Sequence, residues 1–336
     1  MGFAVSLINA MFRRAFTSAG LRPHSAVVDD DGTTLHFWAH RSLLPSSKNG
    51  AAAAGGSKET TTRRPVVVLV HGFGPDPTWQ WGVQVGPLSR HFDLVVPTLL
   101  FFGASATRAA ARSDAFQAAA VAALLTGGAH LPGLNGADGK RRLVHVVGTS
   151  YGGLVARHLA RALDGRAETA VGKVVLCDAD LAKGPDDDAA LAAKGGVAEV
   201  TELMAPADGK ALRRLMALCV HRPPKFIPEC LVRDLLRKYF ADKREEKIQL
   251  IKGIITEQDD SQLNSPLPQE VLIIWGEFDQ IFPVEKAHKV KEILGEKATL
   301  KIIPNTGHLA HQEDPKMFND ILLKFLLPSV VASDAK

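Results

Sequence analysis

Residues 143–153 read Leu143-Val144-His145-Val146-Val147-Gly148-Thr149-Ser150-Tyr151-Gly152-Gly153. A β-branched run stops at a glycine, a serine follows two residues later, and from Tyr151 to residue 163 the apolar positions recur at helical spacing. The pattern is G-x-S-x-G set between a strand and a helix. A side chain on so sharp a turn takes a strained backbone conformation, and its close neighbours must be small, which Gly148 and Gly152 supply. The turn lifts the Ser150 hydroxyl clear of the strand ends, over the positive end of the helix that follows. Ser150 is therefore the candidate nucleophile.

Outward from this turn the chain repeats the same grammar. Val66-Val67-Val68-Leu69-Val70 is a continuous apolar run, as expected of a strand buried on both faces. Similar runs stand at 94–96, 174–176, 271–274 and 300–303, and helical patterns at 109–125, 151–163, 284–294 and 316–326 separate most of them. Strands alternating with helices predict an α/β fold with a mainly parallel sheet covered on both sides. Two more strands are expected at 27–29 and 35–39, around Asp30-Asp31-Gly32. The alternation fails once. Residues 181–268 contain no strand-like run but four helical stretches, at 189–204, 209–220, 228–240 and 245–256. A parallel crossover needs only a dozen or so residues, so the surplus forms an inserted helical module. The core is then 27–180 and 269–336. Residues 43–64, rich in Ala, Gly and Thr, are read as a low-complexity loop between strands.

A serine hydroxyl needs a base. The loop after the last expected strand reads Pro304-Asn305-Thr306-Gly307-His308, and the glycine lets a tight loop aim the ring back at the serine. His308 is the candidate base; His311, three residues on, belongs to the start of the next helix with Glu313 and Asp314. The base needs a carboxylate to orient it and to stabilise its protonated form. Asp279, in the Trp275-Gly276-Glu277-Phe278-Asp279 segment after the run at 271–274, is the candidate. Glu277 in the same loop and Asp178 after the run at 174–176 are its rivals. An oxyanion formed on attack needs amide donors. Tyr151, next to the nucleophile, supplies one; Phe73, in His71-Gly72-Phe73-Gly74 after the run at 66–70, supplies the other. Phe101 and Phe102, in the loop after the run at 94–96, are expected to face the substrate. No metal or organic cofactor is required by these groups.

Net charge is +4, with basic and acidic residues interleaved, so no clustered basic face argues for nucleic acid. Three cysteines, Cys177, Cys219 and Cys230, form neither a disulfide framework nor a zinc motif, and suggest a reducing, cytoplasmic compartment. No run is long enough for a transmembrane span. Residues 1–26 hold an amphipathic helix with Phe3, Leu7, Ile8, Met11, Phe12 and Phe16 on one face, Arg13 and Arg14 off it, and no acid before Asp29. It reads as a helix docked on the body, an organellar transit segment or a peripheral membrane contact.

These motifs resemble those of the α/β-hydrolase superfamily. The likeness runs from Val27 to Leu327, over His71-Gly72-Phe73-Gly74, the turn at Ser150, Trp275 to Asp279 and Gly307-His308. Within it, the chain looks like a branch common in plants, related to monoacylglycerol-lipase-like esterases and C–C-bond hydrolases. The resemblance implies an eight-stranded sheet with a helical cap inserted after the sixth strand, and a Ser-His-Asp hydrolase acting on a small, lipid-like ester. An apolar acyl ester or monoacylglycerol is the first expectation. A C–C-bond hydrolase of a meta-cleavage diketone, or a small-molecule receptor with vestigial hydrolysis, is the alternative. Epoxide hydrolases of this fold carry aspartate where Ser150 stands, which argues against that chemistry.

Overall fold

The computed structural model describes residues 3–45, 64–135, 142–166, 170–254 and 265–328. Most of the low-complexity loop read at 43–64, and the last residues of the chain, lie outside them.

In chain order, helix α1 (Phe3–Ser18) precedes β1 (Leu21–Val27), β2 (Thr34–His40) and β3 (Val66–Val70). Two short helices, α2 (Pro77–Trp81) and α3 (Val85–Ser89), lead to β4 (Asp93–Pro97), α4 (Asp114–Thr126), β5 (Val144–Thr149), α5 (Tyr151–Leu163) and β6 (Val171–Cys177). An inserted segment then carries α6 (Asp187–Gly195), α7 (Val200–Met204), α8 (Gly209–Cys219), α9 (Glu229–Leu235) and α10 (Arg244–Lys252). The chain returns through β7 (Glu270–Gly276), α11 (Val284–Leu294), β8 (Ala298–Ile303), α12 (Ala310–Glu313) and α13 (Pro315–Leu326).

The strands form one eight-stranded sheet in the order β1-β2-β4-β3-β5-β6-β7-β8. Pairing is parallel from β4 to β8 and antiparallel at β1 and β2. The continuous apolar runs have a direct explanation. Along β3, Val66, Val68 and Val70 enter one core while Val67 and Leu69 enter the other. The first core is closed by α4, α5 and α11 through Val121, Leu159 and Val290; the second by α1, α3 and α13 through Phe16, Leu88 and Phe318. β3 lies between β4 and β5. At such a switch in strand order, neighbouring loops leave the carboxyl edge in opposite directions and open a crevice.

The first strand differs from its expected place. It starts at Leu21 rather than at Val27, and pairs Leu21 with His40 through to Val27 with Thr34. β1 is an edge strand, with Arg22, Pro23 and Val27 exposed, so it lacks the apolar signature of the central strands; an edge also tolerates Pro23. The N-terminal helix is correspondingly shorter than 1–26. It is docked: Val5, Asn9 and Phe16 are buried, Asn9 accepts hydrogen bonds from Trp79 and Tyr239, and Leu7 and Met11 face outward. Among the described residues no helix is long and apolar enough to cross a membrane.

The insert also departs from the expected helices. The stretch at 189–204 breaks into α6 and α7 because Gly196 takes a left-handed conformation, φ 60°, and stops the first helix. The insert packs its own apolar cluster, including Leu203, Leu212, Leu235 and Phe240, and Val5 of α1 joins it.

Asp93, buried at the start of β4, gathers Arg64 (2.7 Å), Arg142 (2.7 Å) and the Ser42 hydroxyl (2.6 Å). Burial alone would raise this carboxyl; the hydrogen bonds from Ser42 and Arg142 and the nearby charges outweigh it and lower it. Removing one partner of such a buried cluster strands the others. Asp93→Ala is expected to cost about 3–5 kcal/mol, read as a lower urea midpoint. Because the folded carboxyl titrates below its unfolded value of about 3.9, its contribution is present above that pH and fades on acidification.

Candidate active site

The site is assembled at the carboxyl edge of the sheet. Val70 of β3 stands opposite Gly148 of β5, so the loop after β3 and the turn after β5 emerge side by side. At the turn, Ser150 has φ 53° and ψ −127°, a conformation side-chain-bearing residues rarely adopt. Two bonds hold it there: Ser150 N–H donates to Cys177 O (2.8 Å), and Gly153 N–H donates to Ser150 O (2.8 Å). A Cβ on Gly148 would run into the carbonyl of Gly152, and one on Gly152 into those of Val70 and His71, so the turn closes only with glycine at both.

The loop after β8 brings His308 over this turn. Its Nε2 lies 2.9 Å from Ser150 Oγ and its Nδ1 lies 2.8 Å from Asp279 Oδ2. A carboxylate accepts, so Nδ1 carries the proton and Nε2 is free to accept from the Ser150 hydroxyl. Asp279 is fixed from its other oxygen, which accepts the Ile281 (2.8 Å) and Phe282 (2.9 Å) amides. The Phe282 ring packs edge-on against the imidazole at 5.3 Å. Asp279, His308 and Ser150 are all buried, with Ser150 the most open at 9 %.

The rivals go elsewhere. Asp178 accepts the Gly276 amide (2.7 Å), and burial, then the charge of Asp279, hold its carboxyl well above the usual range. It braces the end of β6 against β7. Glu277 accepts the Asn305 amide (3.0 Å). His311 is fully buried beside Trp81 and Phe318, and burial and the neighbouring His308 push it down to about 3.

Tyr151 begins α5, so its amide has no acceptor within the helix. Phe73 lies across from it, the two rings edge-on at 5.2 Å. The Phe73 loop is clamped by two side chains. Gln80 accepts the Gly72 amide (2.8 Å) and donates to the Gly72 (3.1 Å) and Pro75 (2.7 Å) carbonyls. His71 Nδ1–H donates to Gly72 O (2.8 Å), and its Nε2 accepts the Leu99 amide (3.0 Å). A neutral ring is needed for both bonds, and burial pushes His71 down to about 4.

Phe101 and Phe102 are not placed where the sequence reading expected them. Neither lines the cavities that reach Ser150. Leu99 and Leu100 are tied to His71 and Gln117, and Phe101 has φ 71°, which turns the loop down into the core. Phe101 lies under the Arg112 guanidinium at 4.0 Å, and Phe102 backs His71 and Phe73.

Two groups the sequence reading missed also build the site. Gln80 sits on α2, whose Asp76-Pro77 start is a legible cap: Asp76 accepts the Thr78 amide (3.0 Å). Glu313 accepts the Gly307 amide (2.8 Å) with one oxygen and the His221 amide (2.9 Å) with the other, and Leu309 N–H donates to Cys219 O. The His308 loop is thereby stitched to the insert. Its helices roof a cavity of about 210 Å3 over Ser150, walled by Leu212, Leu215, Met216, Trp79 and Phe240. No group of three or more His, Cys, Asp or Glu among the described residues could hold a metal ion.

The profile of the alpha/beta hydrolase family matches residues 67–321. The chain is 28 % identical over 268 residues to the dihydrolipoyllysine-residue acetyltransferase component of an acetoin cleaving system from Cupriavidus necator, covering 77 % of this chain and 63 % of that protein. It thus spans less than two thirds of that relative's length. Among solved structures it resembles a bacterial membrane phospholipase A (TM-score 0.70, 21 % identity, 96 % of this chain and 91 % of that one). A candidate lipase of Acinetobacter baumannii is similar (TM-score 0.68, 20 % identity, 95 % of each). So is the 2-hydroxy-6-oxo-6-phenylhexa-2,4-dienoate hydrolase of a Rhodococcus strain (TM-score 0.63, 19 % identity, 90 % and 98 %).

The His71 ring is expected to stay neutral, protonated at Nδ1, down to a pH of about 4. Imidazole nitrogen shifts in an NMR titration check this; a transition near 6.5 would contradict the buried clamp.

Proposed function

The chain belongs to the alpha/beta hydrolase family, and within it we propose a serine hydrolase that cleaves a carboxylic ester with a bulky apolar half. The observation that carries this reading is the continuous hydrogen-bond chain from Ser150 Oγ through His308 to Asp279, at 2.9 and 2.8 Å. Held at those distances, His308 takes the Ser150 proton as Oγ forms a bond to the ester carbonyl carbon. The carbonyl π electrons move to oxygen, and the amides of Phe73 and Tyr151 receive the oxyanion. Collapse breaks the carbon–oxygen bond to the alcohol, which takes its proton from His308 Nε2. Water then attacks the acyl-enzyme, giving a proton to His308, and the acid leaves as Ser150 regains its hydrogen. Asp279 keeps the imidazole in the required tautomer and balances its charge when protonated.

The helices between β6 and β7 serve as the cap that excludes water. The apolar walls supplied by Leu212, Leu215 and Met216 favour an apolar substrate. The three free thiols, Cys177, Cys219 and Cys230, suit a reducing compartment such as the cytoplasm.

A fluorophosphonate probe is expected to label the wild-type protein and not Ser150→Ala; equal labelling of both would reject Ser150 as nucleophile. On an ester that is turned over, Asp279→Asn is expected to lower kcat on the order of 10⁴-fold, by presenting the wrong tautomer. Turnover of a dienoate ring-cleavage product in place of all esters would move the assignment to C–C-bond hydrolysis. Ligand-induced melting shifts with no turnover would move it to a receptor.

A further inference from the structure

Ser150 opens onto two cavities, and they are unlike. The larger, about 210 Å3, lies under α8 and includes His308, Leu309 and Gln312 in its wall. The smaller, about 60 Å3, runs the other way, past Tyr151 and Leu154 to Val200, Ile251 and Ile254. Phe73, Ser150 and Met204 are common to both, so the nucleophile stands at the junction. Beyond the apolar part, the small cavity reaches Asp180, Lys183 and Asp188 and continues into a polar mouth of about 180 Å3 that adds Lys194, Lys286, Lys289, Asp187 and Glu285. There Lys183 pairs with Asp188 (2.8 Å) and Lys286 with Asp180 (3.2 Å) and Asp187.

We propose that these cavities divide the substrate at the scissile bond: the large apolar cavity holds the leaving group, and the small one holds a short acyl chain. The proposal rests on the hydrolase reading above and adds the orientation. The atom that departs must collect its proton from His308 Nε2, so the leaving group lies on the side that His308 walls. His308 borders the large cavity and is absent from the wall of the small one. The acyl carbon, once bonded to Ser150 Oγ, must extend away from the imidazole, into the small cavity beside Tyr151. That space suits only a short chain. The acid is released there next to the polar mouth, lined by four lysines and four carboxylates, which provides its exit and an entry for water. The substrate class is therefore an ester of a short-chain acid with a bulky apolar alcohol or phenol. The apolar bulk sits on the alcohol side, not on the acyl side as in a monoacylglycerol.

The test uses the full chain and two ester series: p-nitrophenyl esters from acetate to decanoate, and butyrates of ethanol, phenol and naphthol. Each variant is first checked for fluorophosphonate labelling of Ser150. One methylene in an apolar pocket is worth about 10–200-fold. Wild-type kcat/KM is thus expected to fall at least about tenfold for each two-carbon step beyond butyrate. Ile254→Ala is expected to recover about tenfold for hexanoate over butyrate while leaving the naphthyl-to-ethyl ratio alone. Met216→Trp is expected to lower that ratio about tenfold. The acyl-enzyme retains only the acyl half, so the deacylation rate after the p-nitrophenol burst responds to Ile254→Ala and not to Met216→Trp. If a variant is not labelled, Val200→Ala or Leu215→Trp replaces it at the same cavity. A preference for octanoate or decanoate, or deacylation that responds to the large-cavity variant, would overturn the orientation and leave the hydrolase reading standing. No labelling and no Ser150-dependent turnover in either series would sink the hydrolase reading, and the orientation with it.

Discussion

The sharp turn at Ser150 is the constraint on which the rest of the structure depends. A residue held with φ 53° and ψ −127° sits outside the broad minima, at a cost of about 1–3 kcal/mol. That cost is met by elements that do not move: β5 is buried along its whole length and paired on both sides, and α5 packs Val155, Ala156 and Leu159 into the core. The amide of Ser150 is spent on Cys177 O, and its carbonyl on Gly153. What remains to face the cavities is the hydroxyl, bonded to His308, and the first amide of α5, which then share one small volume. Glycine at 148 and 152 is the steric condition for this, since the β3 loop and the start of α5 approach too closely for a side chain.

Around the turn, the supporting polar groups are largely neutral. Gln80 is an amide, His71 is uncharged through burial, and Asp178 is pushed toward its protonated form. Neutral clamps hold the Phe73 loop without adding fixed charge beside the imidazole. This matters because a charge in a low-dielectric interior acts over several ångströms. Glu313 is the exception, and both of its oxygens accept backbone amides, one from the His308 loop and one from the insert. The same contact therefore sets the loop that carries His308 and the roof over the site.

Helix α1 links these parts from the opposite side. Its Phe16 end is buried in the sheet core, Val5 joins the cluster of the inserted helices, and Asn9 between them bonds Trp79 and Tyr239. Trp79 lines the large cavity. A segment whose sequence left docking, transit and membrane contact open thus backs a wall of the site.

Much of the architecture was legible in the chain alone, because periodicity and burial are local properties. Val66–Val70, buried on both faces, could only be a central strand, and α5 runs from Tyr151 to Leu163 as its apolar spacing requires. The surplus between β6 and β7 announced an insert by length. Edge strand β1 escaped because an edge buries little, and α2 because five residues carry too little periodicity. Choosing among Asp279, Asp178 and Glu277 was a different matter. All three stand at the ends of neighbouring strands, and which carboxylate meets the imidazole depends on how Gly276 and Gly307 let two loops approach. The burial of Phe101 and Phe102 likewise followed from backbone bonds to His71 and Gln117, side chains remote in sequence. Residue types and spacing thus specified the elements and nominated the chemistry; distances, protonation and the two unequal cavities arose only when the loops at the carboxyl ends of the strands and the inserted helices packed against one another.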